Sequence, residues 1–140
     1  MLAALAIVEG LGLAFLASLH FYWLFGGKWG FSEALPTRDN GIRVLNPTKA
    51  GTAFTGLALF FFSGYYLNLV LEGIQGPEWL LNYTGWGIAL IFLARVIGDF
   101  KYVGFFKKVN HTPFALKDTR FFTPLCILLS VIAVFVQLAR

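Results

Sequence analysis

Charge is scarce in this chain. Only 13% of its 140 residues are Asp, Glu, Lys or Arg, about half the share in an average soluble domain. The few charges are also bunched, so residues 10–27, 50–71, 79–94 and 121–139 contain none. Cysteine is nearly absent. Cys126 stands alone, which excludes an intrachain disulfide and any cysteine-paired metal or redox motif. The two histidines are His20, inside a charge-free block, and His111, in a charged one. They do not supply the paired axial ligands of a haem. A Walker motif, a nucleophile elbow and an H-E-x-x-H helix are all missing, and with them the usual nucleotide, serine-hydrolase and zinc-protease chemistries. No cofactor and no metal is expected.

What fills the space is hydrophobic. Apolar residues make up 58% of the chain and its mean hydropathy is +0.72. The charge-free blocks run 18, 22, 16 and 19 residues, against the roughly 20 that a helix needs to cross a bilayer core. None shows the polar face that a helix or strand in water would keep. The prediction is an all-α integral membrane four-helix bundle. It forms one domain over 1–140, with helices at about 2–25, 48–71, 79–100 and 119–139. The first block reads as a span, not a cleaved signal peptide, because Met1 to Ala4 carry no Lys or Arg and the apolar stretch is long.

The net charge of +4 marks topology. Lys28, Arg38, Arg43 and Lys49 fall in the first loop, and Lys101, Lys107, Lys108, Lys117 and Arg120 in the third. The positive-inside rule puts both loops in the cytoplasm and both termini outside. No basic–aromatic interleave lies outside the loops, so nucleic acid is not an expected partner. Trp79, Tyr83 and Trp86, beside the short outer loop, suit an interfacial aromatic belt.

Several residues stand out within the spans. Ala6, Gly10, Ala14 and Ser18 recur every four residues and form a small-residue seam, which allows close helix approach in lipid. The seam serves either a sister helix or a homodimer. Glu9 and His20 are eleven residues apart, three turns along one face. Glu9 lies at a depth where Asn68 could meet it. Thr52, Thr55, Ser63 and Tyr66 make a sparse polar stripe, and threonines in such a stripe often bond back to their own helix. Thr123-Pro124 reads either as a helix start or as a kink in a helix that begins near Asp118.

The stretch "ARVIGDFKYVGFF" at 94–106 then sets Arg95 and Asp99 four apart, on one face of helix three. Ionised groups are costly in a bilayer, and the spacing suggests that the two offset each other. Depth alone places His20, Trp23, Thr55 and Asp118 nearby, with Trp29 in the loop above. The expected site is therefore a cytoplasm-facing polar pocket of His20, Trp23, Trp29, Thr55, Arg95, Asp99 and Asp118. Arg95 would hold an anion, Asp99 would orient Arg95, and His20 would carry a proton or bond Asp99. Glu9 and Asp99 lie towards opposite faces of the membrane, so no carboxylate pair at matched depth is evident for acid/base work.

Two blocks, "HFYWLFGGKWGFSEALPT" and "ARVIGDFKYVGFFKKVNHTPFALKDTRFFTPLC", resemble the signature stretches of a family of small bacterial four-span membrane proteins catalogued only as a domain of unknown function. The resemblance covers nearly the whole chain. It implies a multi-pass protein of the bacterial inner membrane and implies no activity. The residues leave three readings open. The first is binding or transport of a small anionic or amphipathic ligand, a membrane lipid included, at the pocket. The second is an enzyme acting on a lipid or isoprenoid, with His20 or Asp99 as acid/base. The third is a structural subunit of a membrane complex.

Overall fold

The structure, a computed structural model, describes residues 1–71 and 76–140. Among them are four helices long and apolar enough to cross a membrane: α1 Leu2–Leu24, α2 Lys49–Leu71, α3 Glu78–Ile97 and α4 Pro113–Ala139. The chain is an all-helical, multi-pass membrane protein. The described residues form no strand beyond an isolated bridge between Thr37 and Arg43. Part of the expected outer loop, Glu72 to Gln75, lies outside the described residues.

Local chemistry sets the helix ends. Thr48 Oγ1 accepts the Gly51 N–H at 3.0 Å and opens α2. Thr112 Oγ1 accepts the Ala115 N–H at 3.1 Å, with Pro113 next, and opens α4. Both satisfy amide donors that a helix start would leave free. α3 stops at Ile97, short of the expected 100, because Gly98 turns to φ +73°. A side chain there would run into the Val103 carbonyl.

α1 packs against α2 and α3 against α4, and α1 also meets α4. The core is drawn from all four, with Leu13, Tyr66, Ile88, Ala89, Ala133 and Val136 among its buried members. Phe15, Phe54, Phe61, Leu90 and Leu138 point outward and are exposed. In water these would be an aggregation surface. In a bilayer they face a solvent as apolar as themselves, and the helical backbone satisfies its own polar groups.

The small-residue seam is used in part. Ala6 and Gly10 are buried, Ala14 is half-buried and Ser18 is exposed. A step of four residues drifts about 40° per repeat on a helix of 3.6 residues per turn, so the seam winds off the buried face. Its working point is Gly10. A methyl there would come within 2.7 Å of Leu67, and Ser63 Oγ donates to the Gly10 carbonyl at 2.7 Å.

α4 begins at Pro113, earlier than 119, and holds a π-helical turn at Asp118–Phe122. Pro124 explains the turn. Its ring has no N–H to give and would press on the carbonyl four residues back. The wider turn, closed by the Thr123 N–H on the Asp118 carbonyl, relieves that crowding.

Candidate functional site

The ends of α1 and α3 and the starts of α2 and α4 carry most of the expected site residues, but these gather into two separate groups. The first group belongs to α1, α2 and the loop between them. His20 Nδ1 lies 2.8 Å from the Leu16 carbonyl. Since a carbonyl only accepts, Nδ1 carries the hydrogen. The His20 and Trp23 rings meet edge-on at 5.1 Å, and Trp23 meets Phe31 at 5.9 Å. Trp23 Nε1 donates to the Trp29 carbonyl at 2.8 Å. The Trp29 ring itself is exposed, so Trp29 contributes backbone, not indole. Arg43 sits over the Phe31 ring at 5.7 Å. Thr55 and Thr52 donate to Gly51 and Thr48 carbonyls at 3.0 and 3.1 Å, so both hydroxyls are satisfied within α2. These contacts fold the first loop onto the end of α1 and leave an open groove of about 450 Å³. Its lining includes Trp23, Phe25, Phe31, Pro47, Lys49 and Thr52.

The second group corrects the expected Arg95–Asp99 pair. Arg95 Nη2 instead donates to Asp118 Oδ1 at 2.8 Å, across from α3 to the π turn of α4. Asp118 is fully buried, and its other oxygen accepts the Gly104 N–H at 2.9 Å and lies 3.3 Å from Lys107 Nζ. Lys107 also donates to the Gly104 carbonyl at 3.1 Å. One carboxylate thus ties α3, the third loop and α4 together. Asp99 has another task. Because α3 has already ended, Asp99 Oδ1 is free to accept the N–H groups of Tyr102, Lys101 and Val103 at 2.7, 2.9 and 2.9 Å. Partial burial pushes its carboxyl up, but these backbone donors outweigh that and hold it below the usual aspartate range. Glycine completes the loop. Gly104, at φ +92°, lies so close to the end of α3 that a Cβ would meet Gly98 and the Val96 and Ile97 carbonyls at 2.7 Å.

Among the described residues, no hydrogen bond or ion pair joins His20 to Arg95, Asp99 or Asp118. The expected single pocket is therefore an aromatic groove beside α1 and α2 and an ion-paired clasp beside α3 and α4. A second groove of about 340 Å³ lies by the clasp and is lined by Glu33, His111, Leu116, Lys117, Arg120 and Phe121 among others. Lys117 and Glu33 pair across it at 3.7 Å, both well exposed.

Sequence reasoning missed Lys107. Beside Lys108 it looked like one more topology marker, yet its side chain is only 3% exposed. It also missed Gln137, whose Nε2 donates to Tyr65 Oη at 2.6 Å in the space that Gly85 leaves open. Glu9 is fully buried among the helices. Neither Glu9 oxygen accepts a hydrogen bond, from Asn68 or from any other residue. Among the described residues there is no group of three or more His, Cys, Asp or Glu that would hold a metal ion.

A family model described as a protein of unknown function (DUF3995) matches residues 13–133. The chain belongs to that family. No curated protein and no solved structure matches it.

Proposed function

We propose that this member of the DUF3995 family binds an anionic amphiphile, such as an acidic phospholipid, in the groove where α1 ends and α2 begins. The groove itself carries the reading. It offers an apolar and aromatic wall in Trp23, Phe25 and Phe31 and one cation, Lys49, at the first residue of α2. A helix start favours negative charge, so Lys49 and the α2 amides would act on the same headgroup. The second groove is the poorer candidate, because Glu33 already faces Lys117 there. Thr52 adds little, its hydroxyl being spent on Thr48. In this reading the Arg95–Asp118 clasp shapes the end of the bundle and does not touch the ligand. In this reading the basic first and third loops face the cytoplasm, and the groove opens on that side of the membrane.

The test is lipid retention by the purified chain in native mass spectrometry, with phosphatidylglycerol set against phosphatidylcholine. A basic residue near an anionic headgroup contributes about 1 kcal/mol. Lys49→Gln should therefore cut phosphatidylglycerol retention roughly fivefold, while the same change at exposed Lys108 should not. Equal retention of the two lipids, or indifference to Lys49→Gln, refutes the reading.

A further inference from the structure

Glu9 belongs to neither the groove nor the clasp. It sits towards the other end of α1, on the face formed by Ala6, Glu9, Gly10, Leu13 and Ala17, all buried. Its neighbour across α2 is Tyr66, also without exposed surface and within electrostatic reach of it. Both Glu9 oxygens and the Tyr66 hydroxyl lack a hydrogen-bond partner. An ionised carboxylate in such a place would need donors or a cation. Metal-ligating side chains do not surround it, since no cluster of His, Cys, Asp and Glu forms among the described residues. No ion pair to Glu9 forms among the described residues, and Arg140 at the end of α4 is turned to Tyr65 Oη at 3.3 Å. The small cation that fits a closed space with one carboxyl and one phenol is the proton. Added to one oxygen, it removes the charge and makes Glu9 a donor.

We propose that Glu9 is a proton-binding site in the bundle interior, occupied at neutral pH. Beyond Tyr66 lies a group of polar side chains towards the end of α4, to which the Tyr66 hydroxyl is not hydrogen-bonded. The Tyr66 and Tyr65 rings meet edge-on at 5.0 Å. Tyr65 Oη receives Gln137 and Arg140, and Arg140 is exposed at the end of α4. Of the ionisable groups on the helices packed against α1, Tyr66 of α2 is within electrostatic reach of Glu9, Tyr65 and Arg140 lie beyond it, and Cys126 of α4 lies towards Arg95 and Asp118 at the clasp. None offers the carboxylate a bonded positive charge. This site is independent of the groove at Trp23, and either can fail without the other.

The experiment is infrared spectroscopy of the full chain in phosphatidylcholine–phosphatidylglycerol vesicles, combined with dicyclohexylcarbodiimide labelling. A carboxylic acid adds its oxygen to the central carbon of the carbodiimide while its proton passes to a reagent nitrogen. An acyl shift then gives an N-acylurea with every reagent atom retained. At neutral pH the wild type should show a protonated-carboxyl band that moves on 13C-glutamate labelling. Glu9→Gln, which keeps volume and neutrality, should lose that band. The adduct should map to Glu9, spare the ion-paired Asp118, and fade as pH rises. A neutral-pH spectrum with no band sensitive to 13C-glutamate, or a band that persists unchanged in Glu9→Gln, overturns the proposal. The isotope shift reads the wild type directly, so the test survives even if the variant does not fold.

Discussion

Replacing Asp118 by alanine tests the clasp at its centre. Asp118 is fully buried and its carboxylate meets three donors: Arg95 Nη2 at 2.8 Å, the Gly104 N–H at 2.9 Å and Lys107 Nζ at 3.3 Å. The three losses are unequal. Lys107, 3% exposed, would keep only the Gly104 carbonyl, and breaking a buried pair in this way costs about 3–5 kcal/mol. Arg95 is 30% exposed, which makes its share smaller than that of Lys107, although its Nη1 is buried without a partner. The orphaned Gly104 amide contributes about 1–3 kcal/mol, but it shares the loop with Lys107 and the two do not simply add. The expected destabilisation is therefore about 3–5 kcal/mol. It is read by reversible unfolding in mixed detergent–SDS micelles, with helix content as the signal. Asp118→Asn keeps the volume and an acceptor for Gly104 and should cost less than alanine. Adding Lys107→Met to Asp118→Leu should recover most of the loss, because a buried pair can be exchanged for matched apolar groups. As an internal comparison, Lys117→Ala breaks only the exposed contact to Glu33 and should stay below about 1 kcal/mol. A cost below about 1 kcal/mol for Asp118→Ala as well would refute the reasoning, since it would mean that Lys107 needs no partner where it sits.

Two further outcomes follow from the loops. The carboxyl of Asp99 is held low by backbone donors, so its stabilisation is complete above the ordinary aspartate pKa of about 4 and is lost as pH falls through the lower folded-state value. Hydrogen-exchange protection of the Lys101, Tyr102 and Val103 amides, referred to the intrinsic exchange rate at each pH, should therefore fall on acidification in the wild type. In Asp99→Ala protection should be low at every pH, and wild-type protection that ignored acid would count against the cap. The orientation is checked with a membrane-impermeant maleimide on intact cells, given that the native Cys126 is buried. Glu78→Cys should label from outside and Asn40→Cys only after permeabilisation, and the reverse pattern would invert the topology.

The spans were legible because a bilayer sets a length, and four charge-free blocks meet it. The partner of Arg95 was not. The i, i+4 rule holds only while the helix lasts, and α3 ends at Gly98, so Asp99 leaves the helix face that the spacing assumed. The true partner lies 23 residues on, at a distance that only helix rotation decides. Rotation likewise separated His20 and Trp23 from Arg95, although all three share one end of the bundle. The threonines were readable, since a hydroxyl in lipid finds its own helix first. The burial of Lys107 was not, because adjacent lysines in a loop look the same whether they face water or a carboxylate.

The π turn in α4 has a consequence for how the helix is phased. Each residue added to an α-helix turns the following side chain by about 100°. Along α4 the inward positions include Ala115 and Asp118, then Thr123, Cys126, Leu129, Ser130 and Ala133. The step from Asp118 to Thr123 is one residue longer than the helical repeat would give. That surplus residue lets a single rod present both the clasp and the apolar core to the same side. Removing one residue between 119 and 122 would leave a smoother helix, and it would swing Asp118 away from Arg95 by more than a quarter turn. The irregular turn thus works as a phase adapter between two packing problems, one set by α3 and its loop and the other by the centre of the bundle.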